Sequence, residues 1–376
     1  MKIAILGSKG MPVNYGGFET LAEEVSTRLV KKGHEVTVYC CRPYMKGDED
    51  TYKGVRLVIL PTVRLKGIER PLYELISLLH VSFLNAEVVL VLGPSPFCFL
   101  PRLFKKKVVI NIDRFVRQQK KSEKTSSWYL RFSEQMSGNN SDAVVTSAKW
   151  MQEYYKKQYD KDSIYIAYGS DLKKYPPGEM LRRFGLEQKG YILYAGPFEP
   201  ANNPLMVREA FDELGDSAKK LVMVGDVQSA GVDAAKVKET TNPHVIFTGA
   251  IFRKPYKELL SNAYLYIQAS ETGGTHPELV EAMGVGGCVL ATDLPEHREI
   301  LGDAGVYYRD KEDLRRKMAM LMKVAAVPEE KGKAAAKKAV EEYSWDKVAE
   351  RYEMLFKTLT AKAEPATEGG HGGAVQ

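Results

Sequence analysis

The chain has 376 residues, 44% of them hydrophobic, with a formal net charge of +6 and four cysteines. That length and apolar content suit two domains with a core each, and exclude a disordered chain or a small disulfide-stapled one. The mild positive charge excludes binding to nucleic acid by charge alone and suits anionic ligands or an anionic surface.

The chain opens on the apolar run Ile3-Ala4-Ile5-Leu6, with no signal-peptide pattern before it, and passes into Gly7-Ser8-Lys9-Gly10-Met11-Pro12-Val13-Asn14-Tyr15-Gly16-Gly17-Phe18-Glu19-Thr20. A strand, a glycine-rich turn and a helix start are predicted there. Such a turn brings backbone N–H groups close to an anion, and the helix adds its positive dipole end. The spelling is not Gly-x-Gly-x-x-Gly, and the second predicted strand, 35–40, runs into Cys41-Arg42 with no carboxylate at its tip. A nicotinamide dinucleotide needs both features, so a hydride-transfer enzyme is set aside. Asp48-Glu49-Asp50 sits in a polar loop and reads as a solvated surface run.

Further strands are predicted at 55–60, 88–92, 108–111, 143–146 and 164–167. The apolar region 75–101 is broken by His80, Asn85, Glu87, Pro94 and Pro96, so it reads as a helix followed by a buried strand, not a membrane span. Cys40, Cys41, Cys98 and Cys288 lie in apolar stretches without Cys-x-x-Cys spacing, which predicts buried thiols in a reducing compartment. A cytoplasmic protein is expected, with peripheral attachment at the inner membrane face as an option. Between Arg102 and Arg131 ten basic residues stand against Asp113 and Glu123. Either this is an exposed basic helix and loop, or it is a patch for anionic lipid headgroups. A turn-rich segment, Tyr168-Gly169-Ser170-Asp171 and then Pro176-Pro177-Gly178, separates this series from a second one at 191–195, 220–224, 245–247, 264–268, 289–291 and 306–307. Two alternating series imply an α/β protein of two Rossmann-like, doubly wound parallel-sheet domains facing a cleft. The expected boundaries are 1–172 and 173–343. A final helix at 344–360 is expected to pack back on the first domain, and a tail at 361–376 to lack fixed structure.

After the strand at 264–268 comes Glu271-Thr272-Gly273-Gly274-Thr275-His276-Pro277-Glu278-Leu279-Val280-Glu281-Ala282-Met283-Gly284, a second glycine turn meeting a helix start. Glu281, one turn into that helix, suits a diol, because a carboxylate accepts two hydroxyl hydrogen bonds. One carboxylate for ribose and two amide nests for a diphosphate match a nucleoside diphosphate.

With these two turns in this order, the chain resembles a family-four glycosyltransferase of the GT-B fold, in the rhamnosyltransferase-like branch. The resemblance extends through Leu92-Gly93, Phe99-Leu100-Pro101, Ile166-Ala167-Tyr168-Gly169-Ser170-Asp171, Glu199-Pro200-Ala201-Asn202-Asn203 and Asp293-Leu294-Pro295-Glu296-His297-Arg298-Glu299. It implies transfer of a hexose or deoxyhexose from a nucleotide-sugar donor to a polysaccharide or lipid-linked saccharide, with retention and with no required metal or cofactor. Gly16, Gly17, Gly273, Gly274 and Thr275 are assigned to the diphosphate and sugar, and Glu281 to the ribose. Glu271 and His276 are assigned to the transferred sugar, and Asp113 to the acceptor side in the first domain.

Relatives commonly carry an Arg and then a Lys for phosphate after the first strand of the second domain. Here Gly196-Pro197-Phe198-Glu199 and Asn202-Asn203 stand there, leaving Lys9, Arg253 and Lys254 as candidate donor-binding cations. The branch follows its loop aspartate with Gly-x-Glu-Trp, whereas Asp113 precedes Arg114-Phe115-Val116-Arg117. Glu271 and Glu281 keep the branch's ten-residue spacing in place of the general family's eight. The alternative is a catalytically weak binding or scaffold protein of the same shape. A sugar-nucleotide epimerase, which shares the architecture, ranks third.

Overall fold

The structure, a computed structural model, describes residues 1–12, 16–45, 47, 49–62, 69–112, 124–215, 218–226, 232–271 and 276–361, with backbone only at 124–127 and 232–234. Two sheets organise it. The first runs through β1 (Lys2–Leu6), α1 (Gly17–Lys31), β2 (Glu35–Cys41), β3 (Thr51–Tyr52), β4 (Val55–Leu60), α2 (Glu69–Phe83), β5 (Val88–Leu92), α3 (Phe99–Leu103), β6 (Lys107–Ile112), α4 (Lys124–Asn140), β7 (Ala143–Thr146), α5 (Lys149–Tyr159) and β8 (Ile164–Tyr165). Its strand order is β3-β4-β2-β1-β5-β6-β7-β8. β3, which the apolar pattern did not reveal, is the antiparallel edge partner of β4. Lys53 and Gly54 join the two with positive φ at both residues, as a tight two-residue hairpin requires. β8 is shorter than the predicted strand 164–167.

The second sheet is built from α6 (Glu179–Arg183), β9 (Tyr191–Ala195), α7 (Pro204–Asp212), β10 (Lys220–Val224), α8 (Val232–Lys238), β11 (Val245–Gly249), α9 (Arg253–Asn262), β12 (Leu265–Gln268), α10 (Pro277–Gly284), β13 (Cys288–Thr292), α11 (Pro295–Leu301), β14 (Val306–Tyr308), α12 (Lys311–Lys323) and α13 (Ala326–Glu342). Its order is β11-β10-β9-β12-β13-β14, parallel throughout.

Central strands such as β5 are apolar along their whole length because helices cover both faces. α1 packs on one face of the first sheet, and α2, α3 and α5 on the other. α6, α9, α10 and α13 share one face of the second sheet, opposite α7, α8 and α12. The last helix, α14 (Trp345–Thr360), buries Trp345, Val348, Tyr352 and Phe356 in the core that contains α1. Arg28 bonds Asp346 at 2.7 Å and His34 bonds Glu353 at 3.1 Å across that contact.

The two crossings between domains therefore run side by side. Ser170 donates its N–H to the Tyr343 carbonyl at 2.7 Å and pairs with Ser344 as an isolated bridge. Gly169 is needed there, because a Cβ would lie 2.5 Å from the Trp345 ring. The order in which the chain adds strands reverses between β1 and β5 in the first sheet and between β9 and β12 in the second, although both pairs are parallel. In open parallel sheets those two points, at the carboxyl ends of the strands, are where ligands bind.

Candidate functional site

At the first switch point β1 ends in Gly7, whose φ is +96° and whose added Cβ would sit 2.3 Å from the Leu92 carbonyl oxygen of β5. Only glycine lets the turn leave the sheet this closely. The turn re-enters at Gly16 (φ +121°), and there the protein supplies its own anion. The nearly buried Glu19, in the first turn of α1, accepts the Lys9 N–H at 2.9 Å, and its Oε2 lies 2.0 Å from where a Gly16 Cβ would stand. A carboxylate of the chain's own thus lies beside Gly16, just before α1. Gly17 packs on Tyr168, where a Cβ would be 3.1 Å from the hydroxyl. The Lys9 ammonium lies over the Tyr44 ring at 5.1 Å.

At the second switch point side chains do the corresponding work. Asn203, held at positive φ, donates to the Ala269 carbonyl at 3.0 Å and to Glu271 Oε1 at 2.8 Å. Glu271 also donates its own N–H to the Ala201 carbonyl at 2.9 Å. Asn202 donates to the Pro197 carbonyl at 3.1 Å. The asparagines that replace the family's lysine position therefore lock the β9 and β12 exits together and fix Glu271, which stays exposed.

α10 begins just after this exit. His276 is its N-cap, extended in backbone, and makes no side-chain capping bond; Pro277 follows in the first turn. The His276 ring faces His297 of α11 at 5.1 Å between centroids. His297 is fully buried, with Nδ1 2.8 Å from the Thr292 carbonyl. A carbonyl only accepts, so the proton sits on Nδ1, and Nε2 is a buried acceptor with no hydrogen-bond partner among the described residues. Burial, with His276 adding to it, pulls the His297 imidazolium down to about 4.

Glu281 lies half-buried on the next turn of α10. Burial pushes its carboxyl up to about 7; the Lys257 ammonium opposes this, while the Glu278, Asp171 and Glu24 carboxylates add to it. These groups come from α9, α10, the interdomain segment and α1, so Glu281 faces the junction of the two domains. Lys257 ion-pairs with Asp171. Burial works to lower Lys257, but Glu281 and Asp171 together hold it above the usual lysine value. Gly284 lets the segment pass, because a Cβ would meet Ser170 Oγ at 2.3 Å and the Asp171 carbonyl oxygen at 2.7 Å. Arg253 and Lys254 are exposed in the first turn of α9, where the helix dipole disfavours cations, and make no hydrogen bond or ion pair among the described residues.

The structure thus gathers Glu271, His276 and Glu281 around the second switch point, with Arg253 and Lys254 on the adjoining α9. Asp113, Gly273, Gly274 and Thr275 lie outside the described residues. Sequence reading missed Glu19, Glu24, Asn203, Lys257 and His297. Lys257 was within reach, since it stands one helical turn after Arg253 on the same helix. His297 carried no site signal, because the His276 ring it faces is brought in from another helix.

The Glycosyltransferase Family 4 model matches residues 15–170, and the Glycosyl transferases group 1 model matches residues 189–323. No curated protein matches the chain. Among solved structures, sucrose-phosphate synthase from Thermosynechococcus elongatus is similar at TM-score 0.77 and 15% identity, over 95% of this chain and 98% of that one. Anabaena Alr3699/HepE in complex with UDP and glucose is similar at 0.74 and 14%, over 95% and 100%. WaaG, a glycosyltransferase involved in lipopolysaccharide biosynthesis, is similar at 0.75 and 18%, over 96% and 100%. The whole-chain likeness shows the GT-B fold, and with a glycosyltransferase family model on each of its two parallel-sheet domains the chain belongs to the family-four glycosyltransferases.

Proposed function

We propose that this protein transfers a hexose or deoxyhexose, rhamnose by its branch, from a nucleoside-diphosphate sugar to a polysaccharide or lipid-linked saccharide, with retention and without a metal. The observation that carries the reading is Glu281. It is a carboxylate one turn into the helix at the second switch point, beside Lys257, facing the interdomain junction. Ionised, it accepts both ribose hydroxyls. The donor diphosphate then meets the amino end of α10 and the glycine-rich residues 272–275, with Arg253 and Lys254 as the cations that replace the family's arginine and lysine. The solved complexes of HepE with UDP and with UDP-glucose support a donor of this class.

The barrier is departure of the nucleoside diphosphate as the sugar becomes oxocarbenium-like. Fixed dipoles and cations at the leaving phosphates supply the stabilisation. Glu271, which Asn203 holds at the strand exit, and His276, at the helix cap, are assigned to the sugar hydroxyls. Asp113 is assigned to the acceptor side.

Calorimetric titration with UDP, dTDP, GDP and ADP, with and without EDTA, tests this. Clear preference for one diphosphate, unchanged by EDTA, is expected. Binding of none would overturn the donor reading, and binding lost with EDTA would overturn metal independence.

A further inference from the structure

The helices on the outer face of the first domain, opposite α1 and α14, leave apolar side chains in water. On α2, Leu75, Leu79 and Phe83 recur at every fourth position along the exposed side, with Phe83 73% exposed. A helix packed on a sheet ordinarily presents polar residues there. Leu103, 70% exposed, and Phe104 close α3, and the Phe104 ring meets Phe83 edge-on at 4.9 Å. On α4, Trp128, 70% exposed, stacks on Phe132 at 5.8 Å. Tyr129 donates to Glu74 of α2 at 3.2 Å, so α4 adjoins α2 and Trp128 and Leu75, their chain neighbours, lie on adjoining helices.

Seven of the fourteen exposed large hydrophobic side chains among the described residues fall on these three helices and the residue after α3; the others are spread over the rest of the chain. Single exposed hydrophobics need no explanation, but a contiguous aromatic patch marks an interaction surface.

Charge identifies the partner. Lys105 and Arg131 stand exposed within the patch and make no ion pair among the described residues. Glu74 beside them is buried and already bonded by Arg70 and Tyr129. Trp and Phe next to uncommitted Lys and Arg suit the boundary between anionic headgroups and acyl chains, where rings bury and long cations reach the phosphates. No helix among the described residues is long and apolar enough to cross a membrane, so the fit is to a surface.

We infer that the α2–α3–α4 face of the first domain docks on an anionic lipid bilayer, seating the domain assigned to the acceptor at the membrane. The inference rests on the transferase reading only for what is delivered there; the docking itself stands on the surface. Co-sedimentation of the full chain with vesicles of phosphatidylcholine, with and without phosphatidylglycerol, tests it. Binding about tenfold stronger to the anionic vesicles is expected, weakening with salt, with a blue shift of Trp128 emission. The triple variant Phe83→Ser, Leu103→Ser, Trp128→Ser changes exposed positions only. It should lose about tenfold of that binding while keeping wild-type melting and UDP titration. Lys105→Glu with Arg131→Glu should remove the preference for anionic lipid. No vesicle binding, or binding undiminished in the triple variant, would overturn the inference. So would a wild-type dimer that the triple variant dissolves without any vesicle binding, since the face would then serve a second copy. Failure of UDP binding with vesicle binding intact would instead strike the donor reading.

Discussion

Helices α1 and α10 both start at the carboxyl end of a strand beside their sheet's switch point, yet their amino termini are finished differently. At α1 the first-turn carboxylate of Glu19 folds back to take the Lys9 N–H and fills the space beside Gly16. α10 carries no side-chain cap from His276. What surrounds it is a buried imidazole with a bare acceptor and a carboxyl held near neutrality. Each helix carries a first-turn carboxylate, Glu19 in α1 and Glu278 in α10, so the two starts differ in where that carboxylate is committed and in what surrounds it. The carboxyl of Glu281 beside Lys257 is the reason the proposed ribose contact falls in the second domain, while in the first Glu19 occupies the space beside Gly16.

The two turns also use different means to leave their sheets. Backbone freedom does it at β1, so Gly7→Ala should be the most damaging change, at about 3 kcal/mol or more, since a left-handed φ and a backbone clash combine. Denaturant unfolding reads this, and a loss below about 1 kcal/mol would mean the turn relaxes freely.

Next in size is the buried histidine of the second domain. His297 titrates near 4 when folded against about 6.5 when unfolded, so its neutral form is favoured in the fold. That stability is complete above pH 6.5 and is lost as pH falls through 4, by up to about 3 kcal/mol. Glu281 acts oppositely. Its raised carboxyl stabilises the fold below its unfolded value of about 4.5, and that stability is lost as pH rises through 7. His297→Leu should therefore leave a fold that gains stability on acidification from pH 7 to 5, where the wild type is nearly flat. An unchanged profile in the variant would show that Nε2 is hydrated.

Smaller is the pH dependence of nucleotide affinity. Only the ionised Glu281 accepts both ribose hydroxyls, so UDP should bind more tightly from pH 6 to 8, by up to about tenfold. UDP ionises in the same range, and the readout is the slope that Glu281→Gln removes. Equal slopes would detach Glu281 from ribose. Smallest is Glu19→Ala, expected to cost about 1 kcal/mol of stability through loss of the bond to the Lys9 N–H and to lower the melting temperature by a few degrees.

The alternating strands, the helix starts after each glycine-rich stretch and the interdomain segment were legible because each is a local pattern. β3 was not, being two residues long and set by a turn rather than by an apolar run. Glu271 and Glu281 stood out by type and spacing, but the reason Glu271 is held, Asn203, lies 68 residues earlier in the chain. Glu19 was in plain view within the first motif. Its folding back over the turn depends on side-chain direction, which spacing does not encode.

The most direct test is calorimetric titration of UDP into Glu281→Ala and Glu19→Ala side by side. The account predicts that Glu281→Ala loses at least about tenfold in affinity, roughly 1.4 kcal/mol, while Glu19→Ala stays within about twofold of wild type. Affinity lost with Glu19 and kept without Glu281 would contradict it, placing the nucleotide on the first domain.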